Sequence, residues 1–292
     1  MIVGAHPGRI AVLFHEGDRR TQLSSYIVSH LADFWREDGF EVEYIFGTDH
    51  EVPADLLFVH VNLSVVPDRY LAFAARYPRT VNGQISDIRK SVISKQLLRP
   101  GDEWSGQVIV KSDLNFGGQP ERVMHASWLQ RRSRAWRAAR RLGAQITGNE
   151  PAFESWKDYR VFDRLSDVPT RWFDEPSAVV ERFIPEYENG LYHLRMYQFL
   201  GDRSICTRLS SPDPLMKAGL SRSVERIEPH ADVVAWRSSL RIDYGKFDYL
   251  ESGGAAVLID ANKTVGASTH LATDELRAMR RHLAEGLYSY FR

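Results

Sequence analysis

The sequence predicts an α/β protein that opens on a small parallel layer and carries a β-hairpin near its C-terminus. Three strand-type runs define the layer: GRIAVLF (8–14), FEVEYIF (40–46) and ADLLFVHV (54–61). Between the first two, the stretch from Leu23 to Asp38 has helical periodicity and stops at Gly39. Strand–helix–strand spacing of this kind implies parallel neighbours. The hairpin is YGKFDYLESGGAAVLIDAN (244–262), in which the runs KFDYL and AAVLI flank a Ser-Gly-Gly turn.

The first run reads as a buried strand, the second alternates, and YPRTVNG (77–83) supplies the last strand of the layer. With 292 residues and 43% hydrophobic content, the chain can bury a sizeable core and hold two or three subdomains. Its 38 basic and 38 acidic side chains cancel, so no global field recruits nucleic acid or an anionic membrane. The single cysteine, Cys206, excludes an intrachain disulfide. No N-terminal apolar leader and no run of bilayer length is present, so a soluble cytoplasmic protein is expected. There is no internal repeat and no low-complexity tract.

The hairpin concentrates hard oxygen donors. Asp248 lies in its first strand, and Asp260 and Asn262 close the second. A two-residue step puts Asp260 and Asn262 on one face of a strand, and pairing across the hairpin can bring Asp248 beside them. Two carboxylates and an amide oxygen suit Mg²⁺ held next to substrate phosphates, because that ion keeps waters and takes one or two carboxylates from protein. The same residues also suit a solvated hairpin with ordinary turn acids.

Two further segments offer nucleotide chemistry. In QVIVKSDLNFGGQPE (107–121), a β-branched strand ends at Lys111 and runs into a loop with Gly117 and Gly118. Glycines let backbone N–H groups approach anionic oxygens and the ammonium adds a point charge. A plain turn is the commoner reading of these letters, and neither GxxxxGK[ST] nor a strand-linked GxGxxG occurs. In AVVERFIPEYE (178–188), a short apolar strand passes through Glu181, Phe183 and Ile184 and breaks at Pro185. Extended backbone there can meet an adenine edge, with Glu188 in reach of a ribose; a strand end and polar turn is the plainer alternative.

In this order the segments resemble the ATP-grasp family, over roughly residues 80–266. The resemblance implies a pre-ATP-grasp α/β domain (1–85) and an ATP-grasp domain (86–292). The latter comprises a lid at about 104–180 and a catalytic part with an antiparallel sheet at 181–292. It implies ATP as co-substrate with Mg²⁺, or Mn²⁺ in its place. Lys111, Gly117, Gly118, Glu181, Phe183, Ile184 and Glu188 would contact nucleotide, and Asp248, Asp260 and Asn262 would hold metal. The second phosphate lysine would be Lys90 in SDIRKSVISKQLL, with Lys95 in reserve. Arg195 would help hold the reacting phosphoryl group, with Lys246 near it. Three departures stand out: Asp260 replaces a usual Glu, Lys-Thr-Val-Gly follows Asn262, and the interval from Lys111 to Glu181 is long.

The expected activity is therefore a carboxylate–amine ligation through an acylphosphate. Small-molecule or peptide carboxylates and amines would be the substrates, nucleic acid and membrane are not expected as partners, and a homodimer is compatible. An ATP-grasp phosphotransferase and a nucleotide-binding regulator with a degenerate site are the alternatives. Elsewhere, the basic stretch 128–143 reads as a solvated helix face, and four tryptophans (35, 104, 128 and 136) read as packing residues. His15 and His60 end predicted strands, as structural histidines or as contacts to an acceptor. Cys206 has no neighbouring motif for a nucleophile.

Overall fold

The computed structural model describes residues 8–18, 20–124, 153, 156–215, 221–267 and 274–292. The fold is mixed α/β, and the described residues form one parallel sheet and two antiparallel ones. It divides into two compact units, one of residues 1–87 with 184–292 and the other of residues 88–183. The expected division treats residues 86–292 as one domain; by packing, residues 184–292 share a unit with residues 1–87. The basic stretch 128–143 lies outside the described residues.

The first unit opens with the parallel layer: β1 (Arg9–Phe14), α1 (Ile27–Glu37), β2 (Glu41–Phe46), β3 (Leu56–His60), α2 (Asp68–Ala74) and β4 (Thr80–Val81), in sheet order β2-β1-β3-β4. Interior β3 is buried throughout and β1 from Ile10 onward, while edge strand β2 alternates, as the apolar patterns demand. The helix predicted from Leu23 begins later. Residues 20–25 form a 3₁₀ turn and Tyr26 is extended, because Tyr26 bridges Gly266 and the Ile27 amide donates to the Val265 carbonyl at 2.9 Å. A contact with residues some 240 positions away thus overrides the local period.

The second unit holds α3 (Lys90–Ile93), β5 (Val108–Ser112), α4 (Gln119–Met124), β6 (Arg160–Phe162), α5 (Arg171–Asp174) and β7 (Ala178–Arg182). Fully buried β5 is the middle strand, antiparallel to both neighbours. Val108, Val110 and Val180 face a core with Leu98, Phe153, Leu165 and Trp172. The pleat sends Ile109, Lys111, Val179 and Glu181 to the other face.

The chain re-enters the first unit at Ile184 and forms β8 (Glu186–Glu188), β9 (Leu191–Leu200), β10 (Arg203–Ser211), β11 (Ser223–Ile227), α6 (Ala231–Leu240), β12 (Tyr244–Ser252), β13 (Ala255–Asn262) and α7 (Asp274–Ala284). The antiparallel sheet runs β11-β10-β9-β12-β13, with β8 also paired to β9. Leu200, Ile205 and Tyr244 from this sheet share one core with Val12, Phe14, Trp35 and Phe58 of the parallel layer. Asn82 fixes that junction. Its amide oxygen accepts from the Asp243 and Tyr244 amides at 2.9 and 3.1 Å, and its side-chain nitrogen donates to the Tyr244 carbonyl at 2.8 Å. These three contacts on a fully buried side chain, with the Asn82 main-chain N–H on Asp243 Oδ2 at 2.8 Å as a fourth, hold the start of β12 against the end of β4.

Candidate functional site

The hairpin forms as predicted, but its geometry depends on a feature the letters do not announce. Gly253 and Gly254 both take positive φ (59° and 77°), the conformation a two-residue hairpin turn needs. From that turn the register runs Ser252 opposite Ala255 to Tyr249 opposite Leu258. Continued regularly, it would set Asp248 against Ile259 and send Asp260 to the opposite face. A bulge intervenes, so Asp248 instead faces Asp260 and Lys246 faces Asn262. The extra residue, Ile259, re-aims the end of β13 and gathers four polar side chains on one face.

Within that face, Lys246 Nζ lies 2.8 Å from Asp248 Oδ2, with both side chains largely buried. Burial pulls the ammonium downward, but the charge and hydrogen bond of Asp248 and the charge of Asp260 leave it above its ordinary value. Asp248 Oδ1 is buried and accepts no hydrogen bond. An unsatisfied carboxylate oxygen is costly, and a cation is the natural group to satisfy it. The Asn262 oxygen accepts the Thr264 amide at 2.8 Å, which holds the side chain in a turn. Among the described residues no three His, Cys, Asp or Glu side chains gather into a metal cage. Two carboxylates and an amide could hold a cation that takes its remaining ligands from water or a bound anion. Gly245 permits the close strand approach, since a Cβ there would sit 2.5 Å from the Asn262 carbonyl oxygen.

Arg195 does not join this group. In the register of β9 and β12, Met196 opposes Asp248 and Gln198 opposes Lys246, so Arg195 projects from the other face beside Tyr249. There it is clamped at 2.8 Å by Glu186 and at 2.7 Å by Glu251. Glu186 also accepts the Glu251 amide at 2.8 Å, tying β8 to β12. This geometry anchors strands and points the guanidinium away from the acids.

In the second unit, Lys111 and Glu181 form a buried ion pair at 2.7 Å, with 3% and 2% of the side chains exposed. Glu181 Oε1 remains buried without a hydrogen bond. Lys90 begins α3, is buried, and donates to the Leu114 carbonyl at 3.3 Å, whereas Lys95 is exposed. Gly117 and Gly118 form a left-handed turn (φ 64° and 72°) that Phe116 shares at φ 49°. Phe183 ends this unit, its amide donating to the Gln107 carbonyl at 2.9 Å, and Ile184 begins the return to the other. Glu188 is exposed in β8, 3.7 Å from Arg208.

His15 accepts the Gly17 amide at 2.9 Å and stacks on Tyr70, a structural arrangement. His60 is fully buried with neither ring nitrogen hydrogen-bonded; burial, then the charge of Lys263, pushes its pKa down to about 3. Cys206 is buried against the Tyr249 hydroxyl, and burial raises its thiol, which disfavours a nucleophile. The sequence reading passed over Asn62, Thr264, Tyr26 and Asp18, whose side chains are hydrogen-bonded in series. Asn62 had a positional signal: it follows β3 at the carboxyl edge of a parallel sheet, where ligands meet such folds.

No family model and no curated protein matches the sequence. Among solved structures, the chain is similar to D-alanine–D-alanine ligase from Bacillus anthracis, at 12% identity and TM-score 0.48, over 97% of this chain and 96% of that one. It is similar to a RimK domain protein ATP-grasp from Sphaerobacter thermophilus DSM 20745, at 10% identity and TM-score 0.48, over 96% and 99% of the two chains. It is also similar to the VanG D-Ala:D-Ser ligase from Enterococcus faecalis, at 12% identity and TM-score 0.46, over 97% and 99%. Likeness at this level says nothing about which bond a chain makes, so the chemistry rests on the residues described above.

Proposed function

We propose that this chain is an ATP-dependent carboxylate–amine ligase of the ATP-grasp type. The observation that supports it most is the bulged hairpin, which sets Asp260 opposite Asp248 and leaves a buried Asp248 oxygen without a hydrogen bond. Asp248, Asp260 and Asn262 would hold Mg²⁺, which would neutralise charge on the outer phosphates of ATP.

The chain's own residues do the rest. Lys246, fixed by Asp248 on the same face, adds positive charge beside the transferred phosphoryl group. Lys90, Lys111 and the Gly117–Gly118 turn are assigned to the nucleotide, with Glu181, Phe183, Ile184 and Glu188 at its base and ribose. Arg195 is left out of the chemistry because its side chain is engaged on the opposite face of the sheet. A substrate carboxylate oxygen attacks the γ-phosphorus, the bond to ADP breaks, and an acylphosphate forms. An amine then attacks the acyl carbon, the C–O bond to phosphate breaks, and an amide, inorganic phosphate and a proton are released. Positioning and charge neutralisation carry such a reaction.

The test is a screen of amino acids and dipeptides in pairs for ADP release, with mass spectrometry of the products. Ligation yields inorganic phosphate and an amide that is lighter by one water than its two parents. A phosphorylated substrate without an amide would make the protein a kinase, and no ADP release across the screen would remove support for this reading.

A further inference from the structure

Behind Asn262 runs a hydrogen-bonded series whose direction can be worked out atom by atom. Tyr26 donates its hydroxyl proton to Asp18 Oδ1 at 3.1 Å. Burial raises the pKa of Asp18 only to about 6, so at neutral pH it is an ionised acceptor. With its proton committed, Tyr26 can only accept from Asn62, whose Nδ2 lies 3.0 Å away. That sets the Asn62 amide so that its oxygen faces Thr264. The Thr264 hydroxyl then donates to Asn62 Oδ1 at 2.7 Å.

A hydroxyl has one proton. Thr264 Oγ1 also lies 3.3 Å from the Asn262 oxygen, but its proton is spent on the shorter bond to Asn62. The Asn262 oxygen is left with one donor, the Thr264 amide at 2.8 Å, and an open lone pair. Asn62 and Thr264 stand 202 residues apart, on the loops that follow β3 and β13.

We propose that Asn62, oriented by Tyr26 and Asp18, is a positioning residue that draws the Thr264 hydroxyl proton off Asn262 and so keeps the Asn262 oxygen open for a divalent cation. This rests on the reading of the Asp248–Asp260–Asn262 face as a cation site. It gives that site a control that touches no cation ligand directly. When Asn62 cannot accept, the Thr264 hydroxyl turns onto Asn262 and occupies the lone pair the cation needs.

The experiment titrates the full chain with Mn²⁺ alone, following loss of the free-ion EPR signal, in wild type and in Asn62→Leu, Tyr26→Phe, Asn62→Leu/Thr264→Val and Asp248→Asn. Leucine is near the size of asparagine and excludes a replacement water. Tyr26→Phe frees the Asn62 amide to turn, and provides the conservative variant should Asn62→Leu fail to fold. Asn62→Leu and Tyr26→Phe are expected to weaken Mn²⁺ about fivefold to tenfold, the size of one competing hydrogen bond. Removing the hydroxyl in Asn62→Leu/Thr264→Val restores affinity to within about twofold of wild type, a recovery that a general loss of structure does not produce. If Asp248→Asn loses Mn²⁺ while Tyr26→Phe and a folded Asn62→Leu bind as wild type does, the positioning role is wrong and the cation site stands. Failure of the double variant to recover relative to Asn62→Leu overturns it equally. If wild type binds no Mn²⁺, or Asp248→Asn binds it unchanged, the cation site itself falls, and the positioning role with it.

Discussion

Lys111→Met should unfold the second unit far more readily than the loss of one surface lysine would. The two side chains meet at 2.7 Å with 3% and 2% exposure. The partner carboxylate has no compensation, because Glu181 Oε1 already lacks a hydrogen bond. Removing the ammonium leaves a buried carboxylate with its strongest contact gone, a loss of about 3–5 kcal/mol. Replacing both residues by apolar ones of similar size, Lys111→Met/Glu181→Leu, removes the stranded charge and should return stability to within about 1 kcal/mol of wild type or above it. Urea denaturation followed by tryptophan fluorescence reads the difference, since Trp104 and Trp172 both belong to this unit. With a slope of about 3 kcal/mol/M, the single variant's midpoint should fall by about 1 M or more and the double variant's should not. A double variant as unstable as the single one would show that the ion pair is not what the burial of Lys111 depends on.

Three further outcomes follow from named contacts. Burial raises Asp18 from 3.8 to about 6, so the folded state holds its proton more tightly and stability falls as pH rises from about 4 through 6. About two units correspond to at most roughly 3 kcal/mol, which Asp18→Asn should recover at pH 7 while flattening the pH profile of thermal melts. Gly245→Ala should cost about 1–3 kcal/mol by chemical denaturation, because the new Cβ would meet the Asn262 carbonyl oxygen at 2.5 Å. Arg195→Met should lower the melting temperature, since Glu186 and Glu251 lose their shared partner, yet leave Mn²⁺ affinity within about twofold, since the charge lies across the sheet.

Sequence patterns carried the elements better than their tertiary detail. The strand character of β1 and β3, the alternation of β2 and the Gly-Gly hairpin turn are written in local periodicity, and the structure has them. The start of α1 is not, because Tyr26 answers to a bridge with Gly266 rather than to its neighbours. The candidate acids were legible as residue types, but which face each occupies was not. A regular register from the turn would have parted Asp248 from Asp260, and only the bulge at Ile259 unites them. That Arg195 lies on the opposite face was hidden for the related reason that the pleat of β9 relative to β12 depends on long-range register. Lys111 and Glu181 stood out as candidate nucleotide contacts, but their mutual pairing required knowing that β5 and β7 are neighbours. The series from Asp18 to Thr264 joins three segments of chain, and no local pattern connects them.

On the proposed reading, the face built by Lys246, Asp248, Asp260 and Asn262 holds a divalent cation whose coordination a nucleotide completes. Calorimetric titration tests it most directly, with ADP added to wild type in Mg²⁺ and in EDTA, and to Asp248→Asn in Mg²⁺. Asp248 supplies the buried oxygen that has no hydrogen bond. Wild type is expected to bind ADP in Mg²⁺, and removing the ion or neutralising Asp248 is expected to weaken binding by about tenfold or more, equivalent to roughly 1.4 kcal/mol. Equal ADP affinity in all three titrations, or no binding by wild type in Mg²⁺, would contradict it.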